Sequence, residues 1–240
     1  MQPTPGTALT TALTVLTVTT GMVEAVSFLV LGPVFTAVQT GNLLLLGFAV
    51  AGEGGLSPAA SVASLGGFTA GALLGARLTR DADRHGVRWF PPALLTEAAL
   101  LTAAALVARA VETGDPTRTA THHAVTAIVG TAMGLRNVTT LRARVPDLST
   151  TVATRSLTAL FTLPAPGDPH PTEPWRIRHR LFAVGAMFAG GLLGAALLHA
   201  TVPPYAVLLT VAAAVLLTAA GHTLANRRAD NRMRPRRGGG

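Results

Sequence analysis

The sequence contains no cysteine and no lysine, and it has few charged or aromatic side chains. The absence of cysteine excludes disulfide bonds, thiolate metal sites and cysteine nucleophiles. Charged residues make up 12% of the 240 positions, about half the fraction found in soluble domains. Aromatic residues make up 5%, so no basic surface interleaved with stacking rings accompanies the net charge of +8. We therefore expect no nucleic-acid partner.

Long apolar stretches account for much of the chain, and 49% of its residues are hydrophobic. A helix that spans a bilayer needs about 20 mostly apolar residues, and six segments meet this requirement. The sequence therefore predicts an all-α integral membrane protein with six transmembrane helices. The predicted spans are Ala8–Leu31, Ala59–Leu78, Pro92–Val111, Thr121–Leu135, Leu181–Ala200 and Pro204–Leu224. The first is interpreted as a retained span, because residues 1–7 lack a positively charged region and a cleavage site.

Two further segments, Val34–Ala51 and Leu148–Leu163, are too short or too polar for a comfortable span. The first follows Gly32-Pro33 without a hydrophilic loop, and the second is rich in threonine and contains Arg155. Each is predicted to be a broken or re-entrant half-helix, with full spans left open as the alternative. Non-helical backbone is tolerated at membrane depth only where protein or a water-filled cavity covers it.

The arginines cluster between the apolar stretches and at the end of the chain. The rule that cytoplasmic loops carry the positive charge predicts that these regions are cytoplasmic, together with both termini. It also predicts contacts of the arginines with anionic lipid head groups. The predicted regions are Arg77–Arg88, Arg136–Asp147, Pro164–Arg180 and a disordered tail at 226–240 that follows a single transmembrane domain, residues 1–225.

Four landmarks recur in the same order in the two halves of the chain, approximately residues 8–111 and 120–224. Their offsets lie between 112 and 119 residues, and the charge rule gives the two halves opposite orientations. Inverted repeats of this kind, combined with broken helices, recur in secondary transporters. The matched landmarks are Gly21 and Glu24 with Gly134 and Asn137, Thr40 with Thr154, Gly71 and Gly75 with Gly190 and Gly194, and Pro91-Pro92 with Pro203-Pro204.

A resemblance to a known family rests on two blocks of sequence. Gly21-Met-Val-Glu-Ala-Val-Ser-Phe-Leu, followed by Thr40-Gly41-Asn42, is similar to a motif of the YoaK-like membrane family (a domain of unknown function, DUF1275). Met133-Gly134-Leu135-Arg136-Asn137, followed by Thr150-Thr151-Val152-Ala153-Thr154, resembles its second motif block. The resemblance covers roughly residues 10–222 and implies a multi-pass protein of the bacterial inner membrane. Glu24 stands where the family usually has aspartate, and Thr154-Arg155-Ser156 replaces a Thr-Gly-Thr-like triplet.

Glu24 is the strongest single candidate for a site, because a carboxylate inside an apolar segment is costly unless it is paired, protonated or facing water. It is interpreted either as a proton or cation site or as a buried carboxylate that accepts from backbone N–H groups near Gly32-Pro33. Gln39, Thr40, Gly41 and Asn42 adjoin the break. With Thr40 as N-cap, a half-helix over Leu43–Ala51 would point its N–H groups at an anion or polar solute; the alternative is a simple cap.

In the second half, the candidates related by the repeat are Asn137, Thr150, Thr151, Thr154 and Arg155. Arg155 is interpreted either as a partner of Glu24 or as an arginine that snorkels to the cytoplasmic surface. Glycines at 71, 75, 190 and 194 form two small-xxx-small motifs, which predict close helix packing in lipid. No metal-ligand set, phosphate-binding loop or nucleophile elbow is present, so no cofactor or metal is expected.

These features favour a small-solute transporter or channel-like permease, not an enzyme, with a polar site near the bilayer midplane. One alternative is a membrane-embedded lipid-modifying enzyme. The other is a structural or regulatory partner that docks through its arginine-rich tail. The charge of the solute stays open, because Glu24 suggests a cation and half-helix N-termini suggest an anion. A homo-oligomer is compatible with the sequence.

Overall fold

The computed structural model describes residues 7–112, 118–143 and 174–233, and within these ranges it contains seven α-helices. Their bounds are Thr7–Val26 (α1), Gln39–Val50 (α2), Pro58–Arg84 (α3), Phe90–Glu112 (α4), Arg118–Ala143 (α5), Pro174–His199 (α6) and Pro204–Met233 (α7). A π-helical turn over Ser27–Leu31 extends α1. The described residues contain no strand.

Five of the described helical segments are long and apolar enough to cross a membrane. They are Ala8–Leu31, Pro58–Arg84, Phe90–Ala110, Arg180–His199 and Pro204–Arg228. The remaining predicted span, Thr121–Leu135, lies in α5, which is 26 residues long but more polar than these five segments. α2 is apolar but has 12 residues, so it extends about 18 Å and is too short to cross a hydrocarbon core of about 30 Å.

Several helices continue into regions that the arginine pattern had assigned to loops. α3 runs through Arg77, Arg80 and Arg84, and the turn to α4 begins only at His85. The prediction of a loop that starts at Arg136 is wrong, because α5 continues to Ala143 and buries that side chain. α7 continues through 226–233, which the sequence had assigned to the tail. The segment Leu148–Leu163 lies outside the described residues.

Glycine brings the helices together in two parallel pairs, α1 with α6 and α3 with α5. A Cβ atom placed on Gly71 of α3 would lie 1.9 Å from the carbonyl oxygen of Thr131 in α5. A Cβ atom on Gly190 of α6 would lie 2.0 Å from the carbonyl oxygen of Val18 in α1. Only glycine permits such an approach, and close backbone packing is a main source of helix association in lipid.

The remaining helices join these pairs into one bundle. α4 packs against α5 and α7, α7 also packs against α1, and α2 packs on α3. The rings of Phe90, at the start of α4, and His222, near the end of α7, lie 4.6 Å apart. Thus α1, α4 and α6 run in one direction and α3, α5 and α7 in the other. Since α1 and α3 are antiparallel, the segment between them leaves and returns at the same end of the bundle.

We expect Gly71→Leu to destabilise the protein strongly, because its side chain would collide with the α5 backbone. Gly66→Leu on the same helix is the matched control, since a Cβ atom there has nothing within 4 Å. Thermal unfolding in detergent, followed by size-exclusion chromatography, measures both. Equal melting temperatures for the two variants would contradict the close crossing of α3 and α5.

Candidate functional site

The helix is interrupted between the π-helical turn and α2, and we call the non-helical residues 32–38 the break. Gly32 has a φ of +117°, a conformation that favours glycine, and Pro33 has no backbone N–H group. Residues 32–38 are not helical, so their N–H groups need partners outside a helix. The α2 helix then begins at Gln39, inside the segment Val34–Ala51 that the sequence had marked as broken.

The carboxylate of Glu24 supplies those partners. Its Oε2 accepts from the N–H of Thr36 at 3.0 Å, and its Oε1 accepts from the N–H groups of Ala37 at 2.6 Å and Val38 at 3.0 Å. Glu24 is buried. Three hydrogen bonds to an ionised acceptor offset part of the cost of taking the charge out of water. This geometry is the backbone-accepting alternative considered for Glu24, and it uses the N–H groups before α2 that an anion would otherwise reach.

The side chain of Asn42 connects the break to α2 and α3 through hydrogen bonds. Its amide exchanges two hydrogen bonds with the backbone of Phe35, the N–H donating to Oδ1 at 2.9 Å and Nδ2 donating to the carbonyl at 2.5 Å. The same Nδ2 donates to Gln39 Oε1 at 2.8 Å and to Ser64 Oγ at 3.0 Å. Ser64 donates in turn to the Phe35 carbonyl at 2.6 Å. The predicted residues Gln39 and Asn42 are therefore brought together, with Ser64 as an unpredicted third member.

Thr40 does not take the role predicted for it, whereas Gly41 provides the close approach that glycine permits. Thr40 is not the N-cap, because α2 begins one residue earlier, and the cap position, Val38, makes no side-chain cap bond. Thr40 is exposed. At Gly41, a Cβ atom would lie 2.7 Å from the ring of Phe35. Gly41 thus makes room for that ring beside the break.

The predicted candidates of the second half are only partly described. Asn137 is half-buried on α5, and its carbonyl accepts from the Thr140 hydroxyl at 3.0 Å. The other four, Thr150, Thr151, Thr154 and Arg155, lie outside the described residues. The proposed pairing of Glu24 with Arg155 therefore stays a prediction.

A buried ion pair between α4 and α5 was missed by the sequence analysis. Arg136 donates to Oε1 of Glu97 through Nε, at 2.9 Å, and through a terminal nitrogen. Its other terminal nitrogen donates to the Leu16 carbonyl at 2.9 Å and to the Thr20 hydroxyl at 2.8 Å, both on α1. The side chains of Glu97 and Arg136 are each 1% exposed. Removing one partner would leave an uncompensated charge in an apolar interior.

The same rule that identified Glu24 could have found Glu97, because both carboxylates lie inside predicted spans. Arg136 gave a weaker signal, since it follows directly after the apolar segment that ends at Leu135. The other carboxylate oxygen, Glu97 Oε2, is buried and has no hydrogen-bond partner among the described residues. Arg136 therefore has hydrogen-bond acceptors on α1 in addition to Glu97, whereas only one oxygen of the Glu97 carboxylate is hydrogen-bonded.

The ion pair and the break share one face of α1. Thr20, which binds Arg136, precedes Glu24 by one helical turn. Ser27 follows Glu24 by three residues, and its hydroxyl lies 3.1 Å from that of Thr36 in the break. These groups form a polar line through the bundle, which we call the α1 polar face: Thr20, Glu24 and Ser27. Within the described ranges, no cluster of His, Cys, Asp or Glu is arranged to hold a metal ion.

The structure contains long apolar helices that pack closely against one another, with charged side chains buried between them. These features are typical of a helical membrane protein with several spans. The sequence matches the family described as "Protein of unknown function (DUF1275)" over residues 12–221. The chain therefore belongs to the DUF1275 family. A relative is the UPF0700 transmembrane protein YoaK of Bacillus subtilis (strain 168), with 29% identity over 151 residues, which cover 63% of this chain and 65% of the relative. The match thus spans less than two thirds of that protein's length, and no solved structure matches.

We expect Glu24→Gln to loosen the break without disturbing the rest of the bundle. Glutamine keeps one acceptor oxygen but turns an NH2 group toward a backbone N–H group, so the bond to Thr36 is lost. Hydrogen–deuterium exchange of peptides covering 34–38 should accelerate about tenfold, the effect of losing about 1.4 kcal/mol of hydrogen bonding. Glu53→Gln, at an exposed position, is the control. Unchanged exchange in Glu24→Gln would show that the carboxylate does not hold the break.

Proposed function

We propose that the protein is a small-solute transporter or channel-like permease, built as an inverted repeat of six spans with α2 as a re-entrant half-helix. We also propose that it moves a solute and does not catalyse a reaction. One observation carries the proposal: the polar groups of the break lie between the two glycine-packed helix pairs. Residues 36–38 are held to α1 by Glu24, and Phe35 is held to α3 by Ser64.

The glycine crossings support the inverted repeat, because they recur at the offsets of the sequence landmarks. Gly21 on α1 faces the carbonyl oxygen of Met187 on α6, and Gly134 on α5 faces that of Phe68 on α3. The two glycines, Gly21 and Gly134, are 113 positions apart in the sequence, and the residues that they face, Phe68 and Met187, are 119 positions apart. Both are the offsets measured for the glycine landmarks.

The reciprocal contacts follow the same offsets. Gly71 faces Thr131 in one pair and Gly190 faces Val18 in the other. Gly75 meets Leu135, and Gly194 meets Met22. A twofold relation between the halves would exchange α1 with α5 and α3 with α6. The α1–α6 pair would then correspond to the α5–α3 pair.

Two tight pairs joined by looser contacts suggest how the protein could work. Transporters with inverted repeats open by rocking one unit against the other around a central site. Here the units would be α1–α6 and α3–α5, with α4 and α7 between them, and Arg136 would bridge the units through Thr20. Rocking would open the polar groups at the break first to one side and then to the other.

The chemistry of the break favours a small polar solute without a strong net charge. Glu24 and the N–H groups of residues 36–38 satisfy one another, so a cation at Glu24 or an anion at these N–H groups would have to displace a hydrogen bond. The amides of Gln39 and Asn42 and the hydroxyl of Ser64 are hydrogen-bonded to one another and to the backbone of Phe35, and a solute would exchange these neutral bonds for its own when the break opens. Amides and hydroxyls both donate and accept, which suits hydroxyl, amide or zwitterionic groups on a solute.

The distribution of arginine supports an orientation with both termini in the cytoplasm of a bacterial inner-membrane protein. The ends of α3, α5 and α7 and the beginnings of α4 and α6 lie at one end of the bundle. Arg84 and Arg142 belong to this end, as do Arg180 and Arg227. By the positive-inside rule this end is cytoplasmic.

The test uses the absence of cysteine. A transporter that alternates its access should expose Ser64→Cys to water transiently, although the serine is fully buried in the observed state. We expect a membrane-impermeant thiol reagent to modify Ser64→Cys at least about tenfold faster than Ala104→Cys, an equally buried position in the apolar core. Labelling is followed by mass shift in oriented membrane vesicles. Equal, negligible modification of both variants would favour a structural protein over a permease.

A further inference from the structure

A groove between the first half of α1 and the middle third of α7 is assigned no role by the proposed function. Its volume is about 490 Å³. Apolar or small side chains line most of it, among them Ala12, Val15, Ala214 and Leu217. The groove is open on one side and lies within two of the membrane-spanning segments. In a bilayer, hydrocarbon chains meet such an opening.

One end of the groove is polar and lies next to positively charged residues. Gly221 and His222 line that end, and the His222 ring lies 4.6 Å from the ring of Phe90, which follows Arg88 by two residues. Arg227 and Arg228 follow one to two turns later on α7, and both are exposed. The helical rise places Arg228 about 9 Å beyond His222 along the axis. Because α1 and α7 are antiparallel, the start of α1 lies at this same end.

We propose that this groove binds one anionic phospholipid, with an acyl chain between α1 and α7 and its phosphate at Arg228, while Arg227 adds to the positive charge at that end of α7. The apolar lining matches the chain, and the basic end matches a head group at the depth where the span ends. Charge complementarity favours a lipid over a second copy of this chain, since a second copy would bring its own arginines to the same end. The proposal is independent of any transport activity.

Gly221 offers a variant that fills the groove without disturbing the helices. A Cβ atom there has nothing within 4 Å, so Gly221→Leu places its side chain in the space that the lipid chain needs. Gly185→Leu on α6 is the matched control, since Gly185 is also exposed and equally free of neighbours. The double variant Arg227→Gln with Arg228→Gln tests the head-group end through two exposed side chains.

Native mass spectrometry of the purified full-length chain, with phosphatidylglycerol or phosphatidylcholine added in equal amounts, measures the bound lipid. We expect one phosphatidylglycerol on the wild type and on Gly185→Leu, and about fivefold less or lower on Gly221→Leu. The double arginine variant should lose about fivefold of the preference for phosphatidylglycerol for each arginine removed.

Other results would overturn the proposal. Equal binding by Gly221→Leu and Gly185→Leu would exclude the groove as the site of the chain. Equal retention of phosphatidylglycerol and phosphatidylcholine by the wild type would exclude recognition of an anionic head group. Competition by glycerol phosphate at equal concentration would reveal a site for the phosphate alone. A dimer without lipid, which separates into monomers in Gly221→Leu, would show that a second copy covers the groove.

Discussion

The buried ion pair between Glu97 and Arg136 is the interaction on which the arrangement of the helices depends most. An isolated charge in an apolar interior is costly, and in lipid no water is available to replace a lost partner. The arginine meets this constraint with one carboxylate on α4 and two acceptors on α1. It therefore fixes α1, α4 and α5 relative to one another at a depth where apolar packing alone is not directional.

The close helix contacts at glycine and the buried ion pair stabilise the bundle in different ways. Glycine lets two pairs of helices approach so closely that their backbones touch. The ion pair links these tight pairs through a single side chain, and the break lies at the same junction. A polar line along α1 connects the two features, with Thr20 bound to Arg136 and Glu24 bound to the break. Among the described residues, the buried charged side chains thus lie where the two tight units meet.

The amino-acid sequence was enough to locate five long apolar helices, because a spanning helix must satisfy its own backbone hydrogen bonds over the thickness of the bilayer. It also located the break, since Gly32-Pro33 interrupts an apolar stretch, and it identified Glu24 from its charge. It could not tell which groups Glu24 binds. The residues that complete that site, Thr36 to Val38, are twelve to fourteen positions away and reach it only after the chain turns back.

The errors have a common physical origin. Arginine predicts loops between the apolar segments, which holds for Arg88 but fails for Arg136, whose partner lies 39 positions away on another helix. Thr40 predicts a later start for α2 because threonine is a good cap by type, whereas the helix begins at Gln39, directly after the residues that Glu24 holds. In both cases a tertiary contact replaced the local one that sequence patterns describe.

A double-mutant cycle tests the central ion pair most directly, with unfolding of the purified protein followed in mixed micelles. Glu97→Gln and Arg136→Met should each cost about 3–5 kcal/mol, and the double variant should cost less than their sum by about 2 kcal/mol. The matched cycle uses Asp83→Asn and Arg142→Gln, a partly exposed pair at the end of α3 and α5, and should give a coupling of at most about 1 kcal/mol. Additive effects for Glu97 and Arg136 would contradict the account, because they would mean that the two charges do not stabilise each other inside the bundle.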